Sequence, residues 1–140
     1  MTSSPDAIPA ADQRQLLCTH AMYGLHGLSV AAGVFTTLLG YRTLLFGLPS
    51  LLAAVLNLLQ RGRVQGSWLE SHSRWLWRTF WWMVAGVAAV TLAFGPILSV
   101  LTRVPLLEIG YLAVAAWAGW RLARGWPALR AGQPVRGESA

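Results

Sequence analysis

The sequence holds no lysine, a single cysteine and few charges: 11% of its 140 residues are charged and only five of those are acidic. Each shortage excludes something. Cys18, standing alone, excludes an intramolecular disulfide framework. Ordinary globular chains carry about 25% charged residues, so this chain has little with which to cover a surface in water. No Gly-rich phosphate loop, Cys/His metal spacing or Ser nucleophile elbow occurs, and no pair of carboxylates falls inside an apolar run. Neither an enzyme nor a cofactor is expected. What is present is apolar. Hydrophobic residues make up 55%, mean hydropathy is +0.49, and there are eight Trp. A disordered chain needs the opposite composition. All eleven basic residues are Arg and the net charge is +6. They flank apolar runs, which points to a membrane and not to nucleic acid.

Uncharged stretches run from Gln15 to Tyr41, Thr43 to Gln60 and Thr79 to Thr102, and a fourth, Val104 to Leu122, carries only Glu108 and Arg121. A helix that crosses a bilayer needs about 20 mostly apolar residues. The sequence therefore predicts four spans at about 20–40, 44–60, 79–102 and 105–123. Tight breaks at Gly40-Tyr41-Arg42 and Arg103-Val104-Pro105 make two hairpins. Pro49 and Pro96 are candidate kinks in the second and third spans. Residues 1–15 and 126–140 read as flexible tails around a single membrane domain, 16–125.

Nine Arg fall on the side shared by the two tails and the central link; Arg42 and Arg103 fall on the other. The positive-inside rule then places both termini in the cytoplasm of a multi-pass protein, in a bacterial inner membrane. The first apolar stretch runs on past Ser29-Val30-Ala31, so the first span is expected to remain uncleaved.

The central link is the most distinctive segment. Ser67-x-x-Glu70 is a capping-box pattern. Glu70, Arg74 and Arg78 form a charged stripe, and Leu69, His72, Leu76, Phe80 and Met83 share another face. An amphipathic helix over about 67–78, lying along the interface, is expected. Five Trp lie in or beside it: Trp68, Trp75, Trp77, Trp81 and Trp82. Trp favours the headgroup boundary. Trp68, Glu70, His72, Arg74, Trp75, Arg78 and Trp81 form the candidate interaction surface, toward anionic lipid headgroups, a protein partner or a second copy of the chain.

The run Trp68-Leu69-Glu70-Ser71-His72, followed by Arg74-Trp75 and Arg78-Thr79-Phe80-Trp81, resembles a family of small uncharacterised bacterial four-helix inner-membrane proteins. Its members place a Glu and a His on a cytoplasmic link between two hairpins. Here Ser71 separates the pair, and Arg78 stands where others have Asn. The family is distantly similar to the Tic-type component of the chloroplast inner-envelope import machinery. The resemblance implies an all-α membrane fold of four transmembrane helices in two hairpins, and a role in protein translocation or membrane-protein assembly.

His20, His26 and His72 are the only histidines. His20 and His26 are six residues apart and so lie on different sides of a helix. A haem-bearing electron carrier would need a pair such as His20 and His72; the plainer expectation is hydrogen bonding to backbone, Tyr23 or Glu70. Glu108 is the one acid inside a span, and Arg42 is its expected interhelical partner, clamping the two hairpins together. The expected function is a non-enzymatic accessory or scaffold protein of the membrane, with a small oligomeric transporter or channel as the alternative.

Overall fold

A computed structural model describes residues 12–39, 47–101 and 106–135 of the chain, with side chains from 96 to 101 left aside. The described residues contain four helices and no strands: α1 (Gln13–Leu38), α2 (Leu48–Gln60), α3 (Leu69–Leu101) and α4 (Leu106–Arg130). The cross-contacts fix an antiparallel arrangement. The end of α2 meets the start of α1 through Gln60 and Thr19, and the start of α2 meets the middle of α1 through Ser50 and His26. On the other side Arg121 of α4 meets Thr79 of α3, and Tyr111 meets Thr91. α1 packs along α2 and α4, and α4 along α3, while α2 and α4 do not meet.

The boundaries follow from local chemistry. The Asp12 carboxylate accepts from the Arg14 N–H at 3.3 Å and starts α1 two turns before the expected span. Pro49 lies in the first turn of α2, where its missing N–H has no partner to lose, so it starts the helix and does not kink it. α4 does not stop at residue 123. It continues to Arg130 and closes with Gly132 at φ +66°, the Gln133 N–H reaching the Ala128 carbonyl and the Gly132 N–H the Leu129 carbonyl. That is a Schellman stop, which needs a residue free to adopt positive φ. Residues 126–135, expected in a tail, are therefore ordered, and Val135 is buried.

The separate interfacial helix over 67–78 does not exist as such. Neither Gly nor Pro interrupts the sequence between Leu69 and Ala85, so the link runs on into one helix of 33 residues. The expected Ser67–Glu70 capping box does not form. Glu70 reaches back to the Gly66 N–H at 2.9 Å, and the Ser67 hydroxyl donates to the Val64 carbonyl. Gly66 sits at φ +74°, which spares this turn the Cβ penalty.

Among the described residues, two helices are long and apolar enough to cross a membrane: Gln13–Leu38 and Leu69–Gly95. α2 has 13 residues, about 20 Å at 1.5 Å per residue, short of a hydrocarbon core of about 30 Å. Four full spans are thus not what the described residues present.

Polar side chains share the interior with apolar ones, and large apolar side chains face outward. Thr19, His26, Ser29, Ser50, Asn57, His72, Ser73 and Thr79 are buried, while Phe35, Leu38, Leu59, Trp82 and Leu92 are each more than 60% exposed. In a protein that folds in water, a buried polar group and a large exposed apolar face are the exceptions that need a reason. The apolar core gathers at the Arg-rich end, where Met22, Tyr23, Leu69, Trp75, Leu76, Leu122 and Leu129 pack under Val64 of the connecting turn and Val135 of the C-terminal segment. Toward the other end, α3 and α4 meet through small residues: a Cβ on Gly110 would come 2.7 Å from Val90, and one on Gly86 3.0 Å from Val114.

Candidate functional site

The Arg-rich end is where most of the chain's polar chemistry converges. His72 projects from the first turn of α3 into full burial. Its Nε2 donates to the Gln133 carbonyl at 2.9 Å. A carbonyl only accepts, so Nε2 carries the proton, and in the neutral ring Nδ1 accepts from the Tyr23 hydroxyl at 3.0 Å. The Schellman stop of α4 is what delivers the Gln133 carbonyl to this point. Trp68 approaches His72 edge-on at 5.5 Å, and Trp126 stacks on Tyr23 at 6.0 Å. The Trp126 indole N–H donates to Nδ1 of His20 at 3.2 Å.

Beside this cluster sits Arg121. Its guanidinium lies 3.7 Å from the centroid of the Trp75 ring, and its Nε donates to the Thr79 hydroxyl at 2.9 Å. That hydroxyl in turn donates to the Trp75 carbonyl at 2.7 Å. The Trp75 indole N–H donates to the Arg121 carbonyl at 3.3 Å. A cation inside an apolar stretch is thereby held against aromatic faces, with Trp117 as a second ring at 5.4 Å, and by the Thr79 hydroxyl.

A second polar layer ties α2 in. Asn57 Nδ2 donates to the Ser73 carbonyl at 2.9 Å, and the Ser73 hydroxyl donates to Asn57 Oδ1. Gln60 Nε2 donates to the Gln15 carbonyl and to Thr19. His26 Nδ1 pairs with the Ser50 hydroxyl at 3.0 Å. Such bonds between helices are the expected adhesive where the surroundings are apolar.

The seven residues expected to form one interaction surface are divided. His72 and Trp75 are buried and Trp68 is half-buried against them. Glu70 and Arg74 form an i, i+4 pair at 3.9 Å near the surface. Arg78 and Trp81 face outward. Trp75 is thus part of the bundle interior, not an anchor in the headgroups. Trp81, Trp82 and Trp120 are exposed, and Arg124 stands over the Trp120 ring at 5.0 Å. Of the expected Arg42–Glu108 pair, Glu108 is half-buried in the first turn of α4 and Arg42 lies outside the described residues.

For a His20–His72 haem pair the geometry is unfavourable. Both His72 nitrogens are committed to protein partners, and Nδ1 of His20 is occupied by Trp126. Among the described residues no group of three or more His, Cys, Asp or Glu side chains is placed to hold a metal.

Two open spaces matter. A cavity of about 30 Å³ lies mid-bundle beside Ser29, Gly33, Met83 and Tyr111, room for about one water. A wider groove of about 620 Å³ runs between the start of α1 and the end of α2. Reading the sequence did not reveal Gly125, Gln133 or Val135 as partners of this end, because each contributes through backbone position or a contact made across the whole chain.

No protein-family model, curated protein or solved structure matches this chain.

Proposed function

We propose that this chain is a non-enzymatic integral membrane protein, an accessory or scaffold of a bacterial inner membrane. The observation that carries the reading is where the polarity falls: hydrogen-bonded Ser, Thr, Asn and His side chains lie inside beside the apolar core, and many large Leu, Phe and Trp side chains lie outside. In lipid that pattern costs nothing on the outside and binds helices together on the inside. α1 and α3 cross the bilayer. α4 crosses with Arg121 and Arg124 drawn toward the inner boundary. α2 reaches from that boundary to mid-bilayer, since Ser50 meets α1 at His26, halfway along it. The Arg distribution supports cytoplasmic termini.

The inward polar groups support a scaffold more than a catalyst. His26, His72, Asn57 and Thr79 are each spent on an interhelical bond. The mid-bundle cavity has room for about one water, which supports a scaffold over a channel within a single chain. The exposed Trp81, Trp82 and Trp120 beside Arg124 are the surface offered to a protein partner or a second copy; Trp and Arg are the residue types on which such contacts concentrate. The resemblance of the Trp68–Trp81 run to the bacterial family supports an assembly or translocation role.

The test joins extraction, flux and crosslinking. The protein is expected to stay with membranes in alkaline carbonate and to leave liposomes tight to small ions. Photo-crosslinkers at Trp82 and Trp120 are expected to capture the same membrane protein. Extraction by carbonate would sink the membrane reading, and ion flux through liposomes would replace the scaffold with a channel.

A further inference from the structure

The groove between α1 and α2 has two chemistries. Cys18, Leu56 and Leu59 make its apolar floor, and Arg14 and Arg63 stand at its rim. Neither guanidinium has a carboxylate partner among the described residues. Asp12 also lines the groove, but its carboxylate is turned to the Arg14 N–H as the cap of α1. Gln60 lines the groove too. It is 7% exposed, its Nε2 is satisfied, and its Oε1 has no hydrogen-bond partner. The floor is continuous with the outer face of α2, where Leu52, Val55 and Leu59 are all exposed at helical spacing.

From this we propose that the groove is a binding site for one anionic glycerophospholipid. The phosphate sits between Arg14 and Arg63, and an acyl chain lies along Leu59, Val55 and Leu52. Two rim cations against one carboxylate set the preference for an anion. The apolar stripe selects a lipid over a free phosphate ester. α2, about 20 Å long, runs the depth of one leaflet, about half of a 30 Å core, with length to spare. The proposal rests on the membrane reading above.

The experiment uses the full chain in detergent, titrated with dioleoyl-phosphatidylglycerol or dioleoyl-phosphatidylcholine and read by native mass spectrometry. One phosphatidylglycerol per chain is expected, preferred about tenfold over phosphatidylcholine. The variant Arg14→Gln/Arg63→Gln is expected to lose the preference. Arg14→Lys/Arg63→Lys should retain most of it, which separates lost charge from lost folding. Arg130→Gln, the loss of a cation away from the groove, should leave it intact. Soluble glycerol phosphate is expected not to bind. Equal retention of the two lipids, a preference untouched by Arg14→Gln/Arg63→Gln, or binding of glycerol phosphate would each overturn the site. A chain that stays dispersed without detergent and keeps no lipid of either kind would overturn the membrane reading with it.

Discussion

Gly125 lies so close to Tyr23 that a Cβ at position 125 would overlap the Tyr23 hydroxyl and come 3.0 Å from the Trp75 indole nitrogen. The hydroxyl cannot yield, because it is bonded to His72. Gly125→Ala is therefore expected to destabilise the protein by about 1–3 kcal/mol, the usual range for overpacking. Gly24→Ala, with open space around its Cβ, should be neutral or stabilising through helix propensity. Thermal unfolding in detergent measures both; a Gly125→Ala protein as stable as the parent would mean the helices do not approach as described.

Tyr23 and His72 are expected to be energetically coupled. Tyr23→Phe removes one hydrogen bond, worth about 1 kcal/mol, and leaves the imidazole Nδ1 unpaired in a buried site. A double-mutant cycle with His72→Leu should give an interaction of about 0.5–3 kcal/mol. Strict additivity would show that the contact carries no energy.

Arg121→Lys should not be conservative. The guanidinium is used as a plane over Trp75 and as a directed donor to Thr79, and an ammonium supplies neither geometry. A loss of about 1–2 kcal/mol is expected, with a change in Trp fluorescence as the ring over position 75 loses its cation. Unchanged emission together with unchanged stability would show that the stack is incidental.

The C-terminal segment is expected to be part of the bundle. Val135 is 5% exposed and its N–H donates to the Ser71 hydroxyl at 3.1 Å. Val135→Asp should cost about 2–4 kcal/mol, from lost apolar burial and an unpaired buried charge. Full stability of that variant, or of a chain stopped after Ala131, would place residues 133–135 outside the fold.

The proposed topology rests on the Arg distribution. Reporter fusions at residues 14, 62 and 130 should read cytoplasmic, and one at 42 should read external. An external signal at 62 would leave α2 on the wrong side of the bilayer and overturn the arrangement.

That the chain is all-helical with four helices was legible because runs of apolar residues between Arg residues survive any detail of packing; four full spans were more than the helices present. Helix ends were less so. Counting charges as boundaries placed the last helix end at 123, but Arg121 and Arg124 are compatible with a helix when one stacks on Trp75 and the other on Trp120. The Trp cluster misled for a related reason. Position along the sequence said "boundary" for Trp75, yet its place on the inner face of α3 buries it. Tyr23 was foreseen as a histidine partner and is one for His72. The other nitrogen of that ring was beyond reach, since it meets a backbone carbonyl 61 residues away that only a helix-ending turn brings into place.

That last distance has a consequence in time. A chain emerges N-terminus first, at about 5–20 residues per second. The 61 residues between His72 and Gln133 therefore separate the two halves of this hydrogen bond by about 3–12 s during synthesis. Through that interval α1, α2 and the start of α3 exist without the carbonyl that closes over the imidazole, and without Val135 above them. The Arg-rich end is thus the part of the described fold that stays open longest at birth, and the part most dependent on whatever surrounds the nascent chain.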